Sequence, residues 1–503
     1  MTLFGSDDTL VAALAGWLPT TRWFPSKSQR LAAITIVDRI RLPLMQPAEF
    51  VVVDLTLTST SLSDTSPNDT AASHRLAVPL CWQADGPVDA AASPEVVGWL
   101  TQAALTGAAA EGSHTRITGV PVSASVALSD TAFSSTDTPQ VTPLTADSSN
   151  TVLHVCFGGA SAEIGVVCKL LRQVRHGLPP DVEIGRFLAG DTEWRQTPPL
   201  LGFLQWHGPT GEPAVVAVVH AQVPAATSLW DELLTRLGGM SLAGDHSRGG
   251  ESLRQEVMPV LIALGQTTAD MHRALAAQRD DAAFGSEPWT ADMQAAATHA
   301  MTTHAQQVFA RLRRLKPPLP AATLTLLDEV CAHEAVCLAR LASLNSQTWQ
   351  SRRIRVHGDY HLGQVLFSRG RHDGLVLEQL QVIDFEGEPA RSLAERREKH
   401  AAAKDVAGML RSLDYLIRVA HRQAVVNLPA DAYEQFAGWF LGSYTAAAHS
   451  SSFWPADPEE AGRMLAIYCL DKAIYEVAYE ADNRPDWLDV PLTALLQIVA
   501  TDP

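Results

Sequence analysis

Val356-His357-Gly358-Asp359-Tyr360-His361-Leu362-Gly363-Gln364-Val365-Leu366 and, further on, Leu380-Gln381-Val382-Ile383-Asp384-Phe385-Glu386-Gly387 decide how this chain is read. The first stretch sets an Asp, a His and a Gln in a glycine-punctuated loop that runs into an apolar strand. The second ends an apolar strand in an acidic pair, Asp384 and Glu386. Two short strands joined through Gly374 and its polar neighbours predict a hairpin, with Gln364 beside Asp384 at one end. Any one of these residues alone reads as a turn or cap residue. The ordered set of loop Asp, carboxamide, strand and acidic-Phe-acidic-Gly turn points instead to phosphoryl transfer, where a protein mainly positions groups and neutralises charge. Mg²⁺ takes a few hard oxygen ligands beside phosphate oxygens and water, which suits Asp384 and the Gln364 amide oxygen. Asp359 is expected to orient an acceptor hydroxyl and take its proton.

Around this island the chain is helical in period: LRQEVMPVLIALGQTTADMHRALAAQ from Leu253, AATLTLLDEVCAHEAVCLARLASL from Ala321 and AGRMLAIYCLDKAIYEVAYEADNR from Ala461. The first half alternates β-like runs with loops, among them LAAITIVDRIRL from Leu31, EFVVVDLTLT from Glu49, RLAVPLCWQ from Arg75, TVLHVCF from Thr151 and EIGVVCKLL from Glu163. Two Ser/Thr/Asp/Pro-rich stretches, Thr58 to Ser73 and Pro121 to Ser149, offer little to bury and read as loops. The fold class is therefore α+β, β-rich first and mainly helical after.

A chain of 503 residues exceeds one ordinary core, so two or three units are expected. Hydrophobic residues at 46% and charged residues at 18% are the balance of a folded protein. The net charge of −17 argues against a nucleic-acid or anionic-membrane binder, which needs a basic field. The N-terminus does not read as a secretory signal, and no apolar run is long enough to span a bilayer. The six cysteines are scattered without CxxC spacing, so neither a disulfide framework nor a zinc site is expected. Together these features predict a cytoplasmic protein with no nucleic-acid and no membrane partner.

The sequence resembles the aminoglycoside-phosphotransferase-like kinases and, within them, the actinobacterial maltokinases, which make maltose 1-phosphate from maltose and ATP. The resemblance lies in HGDYHLGQ (His357 to Gln364), DFEGEPARSLAERR (Asp384 to Arg397), KDVAGMLRSLDY (Lys404 to Tyr415) and DKAIYEVAYEADNRPDWLDVPL (Asp471 to Leu492), with GWLPTTRWFPSKSQR (Gly16 to Arg30) similar to the family's opening signature. It implies a bilobal protein-kinase-like fold: an N-terminal cap over 1–112, a β-rich nucleotide lobe over 113–223 and a helical catalytic and substrate lobe over 224–503. It also implies ATP and Mg²⁺ as cofactors, a small sugar as substrate and a trehalose synthase as a partner.

For the nucleotide site the resemblance implies a strand Lys169 and a helix Glu183 that orient phosphates, with Ser149, Asn150 and Thr151 in the phosphate-covering turn. Arg172 and Arg175 read as solvated charges, and His220, beside the expected hinge, as an ordinary strand-end residue. For the sugar, His361 and Glu386 lie near the catalytic Asp, Arg411 and Tyr415 frame RSLDY, and Glu476, Tyr479, Glu480 and Asn483 share a helix face near Tyr475 and Trp487. That face reads equally as helix packing with solvated acids, and the resemblance favours the sugar. His361 reads equally as a support for the metal site. Asp405 and Asp414 read as helix-cap or structural ion-pair residues. A kinase of glucosamine or another hexose on the same scaffold is the alternative, because a few pocket hydrogen bonds set specificity. A non-catalytic pseudokinase fits less well, since Lys169, Glu183, Asp359, Gln364 and Asp384 are all present.

Overall fold

The computed structural model describes residues 5–25, 29–59, 72–122, 138–144, 150–158, 164–242, 249–277, 281–315, 319–372, 375–388, 391–423 and 428–500. Two compact units divide the chain: Met1–Asp191 with Pro198–Val223, and Thr192–Thr197 with Pro224–Pro503.

In the first unit α1 (Asp7–Trp17) precedes strands β1 (Gln29–Arg41), β2 (Ala48–Ser59), β3 (Ala72–Gln83) and β4 (Gly86–Asp89), which form an antiparallel sheet in chain order. Helix α2 (Pro94–Thr106) leads to β5 (Ala109–Glu111), β6 (Arg116–Pro121), β7 (Gln140–Pro143), β8 (Thr151–Phe157) and β9 (Ile164–Leu170), then α3 (Pro180–Asp191), β10 (Leu200–His207) and β11 (Pro213–Ala221). Among the described residues these strands make a second sheet of order β5-β6-β10-β11-β9-β8-β7. Strand β2 shows how the two layers are built. Successive side chains point to opposite faces, so Val51, Val53, Leu55 and Leu57 join Leu10 and Leu14 of α1 in one core. Phe50 and Val52 join α2 and the larger sheet in another. A strand covered on both faces reads as an unbroken apolar run, which is what FVVV (Phe50 to Val53) is, before Asp54 turns to Arg75.

Arg172 departs from its reading as a solvated charge. Only 1% exposed, it bonds Thr151 Oγ1 through Nε (2.9 Å) and Asp89 through a terminal nitrogen (2.8 Å), and its guanidinium lies 4.4 Å from the Trp23 ring centroid. Burial lowers its pKa, against the pull of Asp89. The charge is retained inside because a carboxylate, a hydroxyl and an aromatic face surround it.

The second unit opens with β12 (Thr227–Ser228), followed by α4 (Leu229–Leu242), α5 (Gly249–Glu256), α6 (Met258–Leu275), α7 (Ala291–Leu312), α8 (Ala321–Ala332) and α9 (Glu334–Ala342). Then come β13 (Val365–His372), β14 (Leu375–Val382), α10 (Leu393–Arg396), α11 (Ala403–Arg422), α12 (Ala432–Ala448), α13 (Pro458–Asn483) and α14 (Asp489–Ala500). The periodic run from Leu253 is two helices rather than one. Pro259, in the first turn of α6, has no N–H to continue the preceding ladder, and the chain restarts at Val257. The run from Ala321 likewise divides at His333. The hairpin forms with Val365 opposite Val382 and His372 opposite Leu375, while β12 flanks β13. Gly374 lies outside the described residues. No described helix is long and apolar enough to cross a membrane.

Candidate active site

The loop before the hairpin is held through its backbone. Asp405, 1% exposed in the first turn of α11, accepts from the amides of His357 (2.7 Å) and Gly358 (2.9 Å) and from His272 Nε2 (3.1 Å). His272 Nδ1 meets the Tyr444 hydroxyl at 2.8 Å. Burial alone raises the Asp405 carboxyl, but the His272 bond and charge, His357 and the Gly358 amide hold it below its ordinary value. Asp405 is thus an organiser of the loop, hydrogen-bonded to His272, rather than a cap of its own helix.

His357 joins this loop to the acidic turn. Its Nε2 donates to the Ile383 carbonyl (2.8 Å), which leaves Nδ1 to accept from the Asp359 amide (3.3 Å), and its ring lies 4.9 Å from that of Phe385. The two loops approach closely. A Cβ on Gly358, which has φ +87°, would sit 3.1 Å from the Gly387 Cα, so the position requires glycine twice over. Gln364 donates from Nε2 to Asp384 Oδ2 (3.0 Å), and its carbonyl receives the Ile383 amide (2.9 Å). Asp384 itself has φ 66°, a left-handed conformation rare outside Gly and Asn, of the kind that collects at functional sites. Asp384 and Glu386 bring carboxylate oxygens within 4.8 Å of one another. Their hard oxygens fit Mg²⁺ and would suit a softer, thiolate-seeking metal poorly, while the Gln364 amide meets Asp384 through its nitrogen.

Asp359 carries an ion pair that the sequence reading overlooked. Lys472 of α13 donates to its Oδ1 at 2.8 Å and lies 4.0 Å from Glu388. Burial alone raises the Asp359 carboxyl, but Lys472, then His361 and His357, hold it well below the usual carboxylate range. Burial lowers the Lys472 ammonium, and Asp359 and Glu388 more than reverse that. His361 Nδ1 accepts from the Gly363 amide (3.0 Å) and caps the short turn Leu362–Gln364. Burial pulls its pKa down, and both Asp359 and Asp384 act on it in the opposite sense, so the two carboxylates share one neighbourhood. Glu386 lies 3.9 Å from Arg396. Lys472 had a legible signal: at 472, 475 and 479 it shares a helix face with two tyrosines.

The expected sugar face of α13 is two faces. Glu476 bonds Arg411 (2.7 Å) and Glu480 receives the Tyr415 hydroxyl (2.9 Å). Arg411, 3% exposed, also holds Asp414 (2.7 Å), and Arg484 closes on Glu480. Pairs spaced i, i+4 on α11 meet pairs spaced i, i+4 on α13, so Arg411, Tyr415, Glu476 and Glu480 tie two helices together. Trp487 lies beneath the guanidiniums of Arg422 (4.6 Å) and Arg484 (5.8 Å), and Asn483 Nδ2 bonds the Tyr479 carbonyl of its own helix (2.9 Å). The other face runs from Asp359 through Lys472, 4.5 Å from the Tyr475 ring centroid, to Tyr479, stacked on Tyr475 and 45% exposed.

In the first unit Lys169 stands on β9 between Val152 and Val218, and Glu183 in the first turn of α3; both are buried. Asn150 precedes β8, and Thr151 begins it with its hydroxyl turned to Arg172 instead of standing free for a phosphate. Ser149 lies outside the described residues. His220 is more than a strand end: its Nε2 is 3.4 Å from Asp181. Burial lowers its pKa, Asp181 overrides this to raise it, and Lys169 opposes.

A loop carboxylate, a hairpin and an acidic turn, with a strand lysine in a separate sheet, define a kinase-type phosphotransferase fold. Residues 17–114 match the maltokinase N-terminal cap domain and residues 141–386 the phosphotransferase enzyme family. By these two matches the chain is similar to phosphotransferase-family kinases that carry a maltokinase-type cap. A glucosamine kinase of Streptacidiphilus jiangxiensis is 28% identical over 288 residues, 57% of this chain and 58% of that protein. One from Mycolicibacterium smegmatis is 33% identical over 145 residues, 28% of this chain. The matches thus span 58% and 33% of these curated relatives' length. Two solved structures share the fold: a glucosamine kinase in crystal form A (22% identical, TM-score 0.57, 97% of this chain and 98% of that one), and a glucosamine kinase in complex with glucosamine, ADP and inorganic phosphate (20%, TM-score 0.57, same coverage).

Proposed function

We propose that this chain is an ATP-dependent sugar kinase that phosphorylates the anomeric hydroxyl of a neutral sugar, maltose, to the 1-phosphate. Lys169 with Glu183 orients the phosphates of ATP. Asp384 and Glu386, with the Gln364 amide beside them, would hold Mg²⁺, which would supply positive charge to offset that of the phosphates. Asp359 orients the acceptor hydroxyl and takes its proton. A carboxylate held far below its usual pKa is a weak base, so the proton moves late, as the new O–P bond forms; a loose transition state needs no more than that.

The observation that carries the acceptor class is the Lys472 ammonium 2.8 Å from Asp359. It occupies the electrostatic place that the ammonium of an amino sugar would seek, and two cations there would repel each other. A neutral sugar meets no such conflict, and its faces fit the rings of Tyr475 and Tyr479. The names of the relatives favour glucosamine as the second reading. ADP release with Mg-ATP, measured across maltose, glucose and glucosamine, separates the two. Maltose is expected to turn over at least about tenfold better in kcat/KM, the worth of one good polar discrimination; turnover of glucosamine without maltose overturns this acceptor.

A further inference from the structure

The chain leaves the first unit after α3 and returns to it at Pro198, and the strap between, Thr192–Thr197, packs with the second unit. It lands beside the acidic turn. The sheet order β12-β13-β14 makes β14 an edge strand among the described residues, and the amides on such an edge need partners from elsewhere. The Val382 amide, two residues before Asp384, finds one in the Gln196 carbonyl (2.8 Å). The side chain of Gln196 is held at both ends: Nε2 donates to Thr267 Oγ1 of α6 (2.9 Å), and Oε1 accepts from the Trp194 indole (3.0 Å). Trp194 is buried and sets its ring edge-on to Phe385, the residue after Asp384, with centroids 6.4 Å apart and planes at 86°. The strap therefore grips the chain both before and after Asp384.

Asp384 needs such a grip. Its φ of 66° is left-handed, and a residue other than Gly or Asn stays there only when its surroundings over-determine it. The hairpin and the catalytic loop supply part of the restraint: the Ile383 amide bonds the Gln364 carbonyl (2.9 Å), and the Ile383 carbonyl accepts from His357 Nε2 (2.8 Å). Those bonds act before Asp384, whereas Trp194 acts after it, through the Phe385 ring. Apolar packing alone would leave the indole free to turn, but the chain from Trp194 through the Gln196 carboxamide to Thr267 fixes its direction, since hydrogen bonds are directional. We infer that Trp194 and Gln196 are positioning residues for the metal-binding turn, which hold the Asp384 carboxylate in the orientation that a divalent cation requires. This rests on the phosphotransfer reading of Asp384 and is independent of which sugar is the acceptor.

The test uses the full chain as Trp194→Leu, Trp194→Phe and Gln196→Leu. Mn²⁺, which suits hard-oxygen sites as Mg²⁺ does, is titrated into each with ADP present, and the free ion is followed by its electron paramagnetic resonance signal. Metal-free ADP binding and the sugar KM are measured alongside. Trp194→Leu is expected to weaken Mn²⁺ binding about tenfold or more, as the loss of groups that orient metal ligands does. Trp194→Phe restores a ring edge for Phe385 and should bind Mn²⁺ more tightly than Trp194→Leu. Gln196→Leu keeps the backbone bond to Val382 but releases the indole, so a smaller loss is expected. Because it exchanges a half-buried carboxamide for a side chain of similar size, Gln196→Leu decides the matter where Trp194→Leu fails to fold. Metal-free ADP binding and the sugar KM should not move. Unchanged Mn²⁺ affinity in either folded leucine variant, no gain from leucine to phenylalanine at 194, or a loss of Mn²⁺ in step with metal-free ADP and sugar overturns the inference and leaves the phosphotransferase reading standing. A wild-type chain that takes up no Mn²⁺ with ADP overturns both.

Discussion

The loop at 356–364 and helix α13 are both rich in polar side chains, yet they are held in opposite ways. The loop has no regular ladder for most of its amides, so side chains receive them: Asp405 from α11 takes two, and the loop's own His357 takes that of Asp359. Its own Asp359 and Gln364 side chains are thereby released to face their chemistry. Helix α13 satisfies its own backbone, and its side chains are sorted by what stands opposite. Glu476 and Glu480 are drawn to Arg411 and Tyr415, while Lys472, Tyr475 and Tyr479 line up from Asp359. A loop whose amides are captured commits its side chains to function, whereas a helix commits only the face that no partner has claimed.

The strongest way to break this comparison is Asp359→Ala. The loop's supports do not pass through the Asp359 carboxylate, so the fold and ATP binding should survive while kcat falls about 10³-fold or more, in the range for loss of a positioned base. Stopped ADP release with retained nucleotide binding is the expected pair of readings. A kcat within about tenfold of wild type would remove this carboxylate from the mechanism.

Lys472→Met, smaller in effect, sharpens the comparison at the point where the two regions touch. In the wild type the ammonium outweighs burial and holds the Asp359 carboxyl well below its ordinary range. That depressed pKa contributes stability above the unfolded value of about 3.9, lost only as pH falls through the folded value. It also keeps the carboxylate ionised at all working pH. Without the ammonium, burial is left to raise the pKa, so the acid limb of the kcat/KM profile should move upward, with the loss greater at pH 5 than at pH 8. A profile that merely drops by the same factor at every pH would show that Lys472 acts on the sugar alone.

What could be read in advance follows the same division. HGDYHLGQ and DFEG name their own chemistry because order along a short loop nearly fixes order in space, and the hairpin that joins them has strand signals at both ends. Asp405 read as a helix-cap or structural ion-pair residue, but its target lies 47 and 48 residues away along the chain, beyond any local pattern. Arg172 looked like a surface charge in RQVRHGLPP because Trp23 and Asp89, which bury it, come from the far end of the first unit. On α13 the periodicity showed which residues share a face, and only the partners on α11 decide which face is spent on packing.

The smallest expected effect belongs to Asn483. Its amide already bonds the Tyr479 carbonyl of the same helix, so Asn483→Ala removes a contact that helps to finish α13 and meets the line from Asp359 only at the Tyr479 backbone, leaving its ring in place. The sugar KM should change by less than about twofold, and the melting temperature by no more than a surface substitution usually brings. Tyr479→Ala is the matched control, since it takes away a half-exposed ring stacked on Tyr475 and should raise the sugar KM by about tenfold without a comparable change for ATP. Equal effects of the two substitutions would mean that the free face of α13 continues to the helix end, and the boundary drawn between its packing face and its binding face would have to move there.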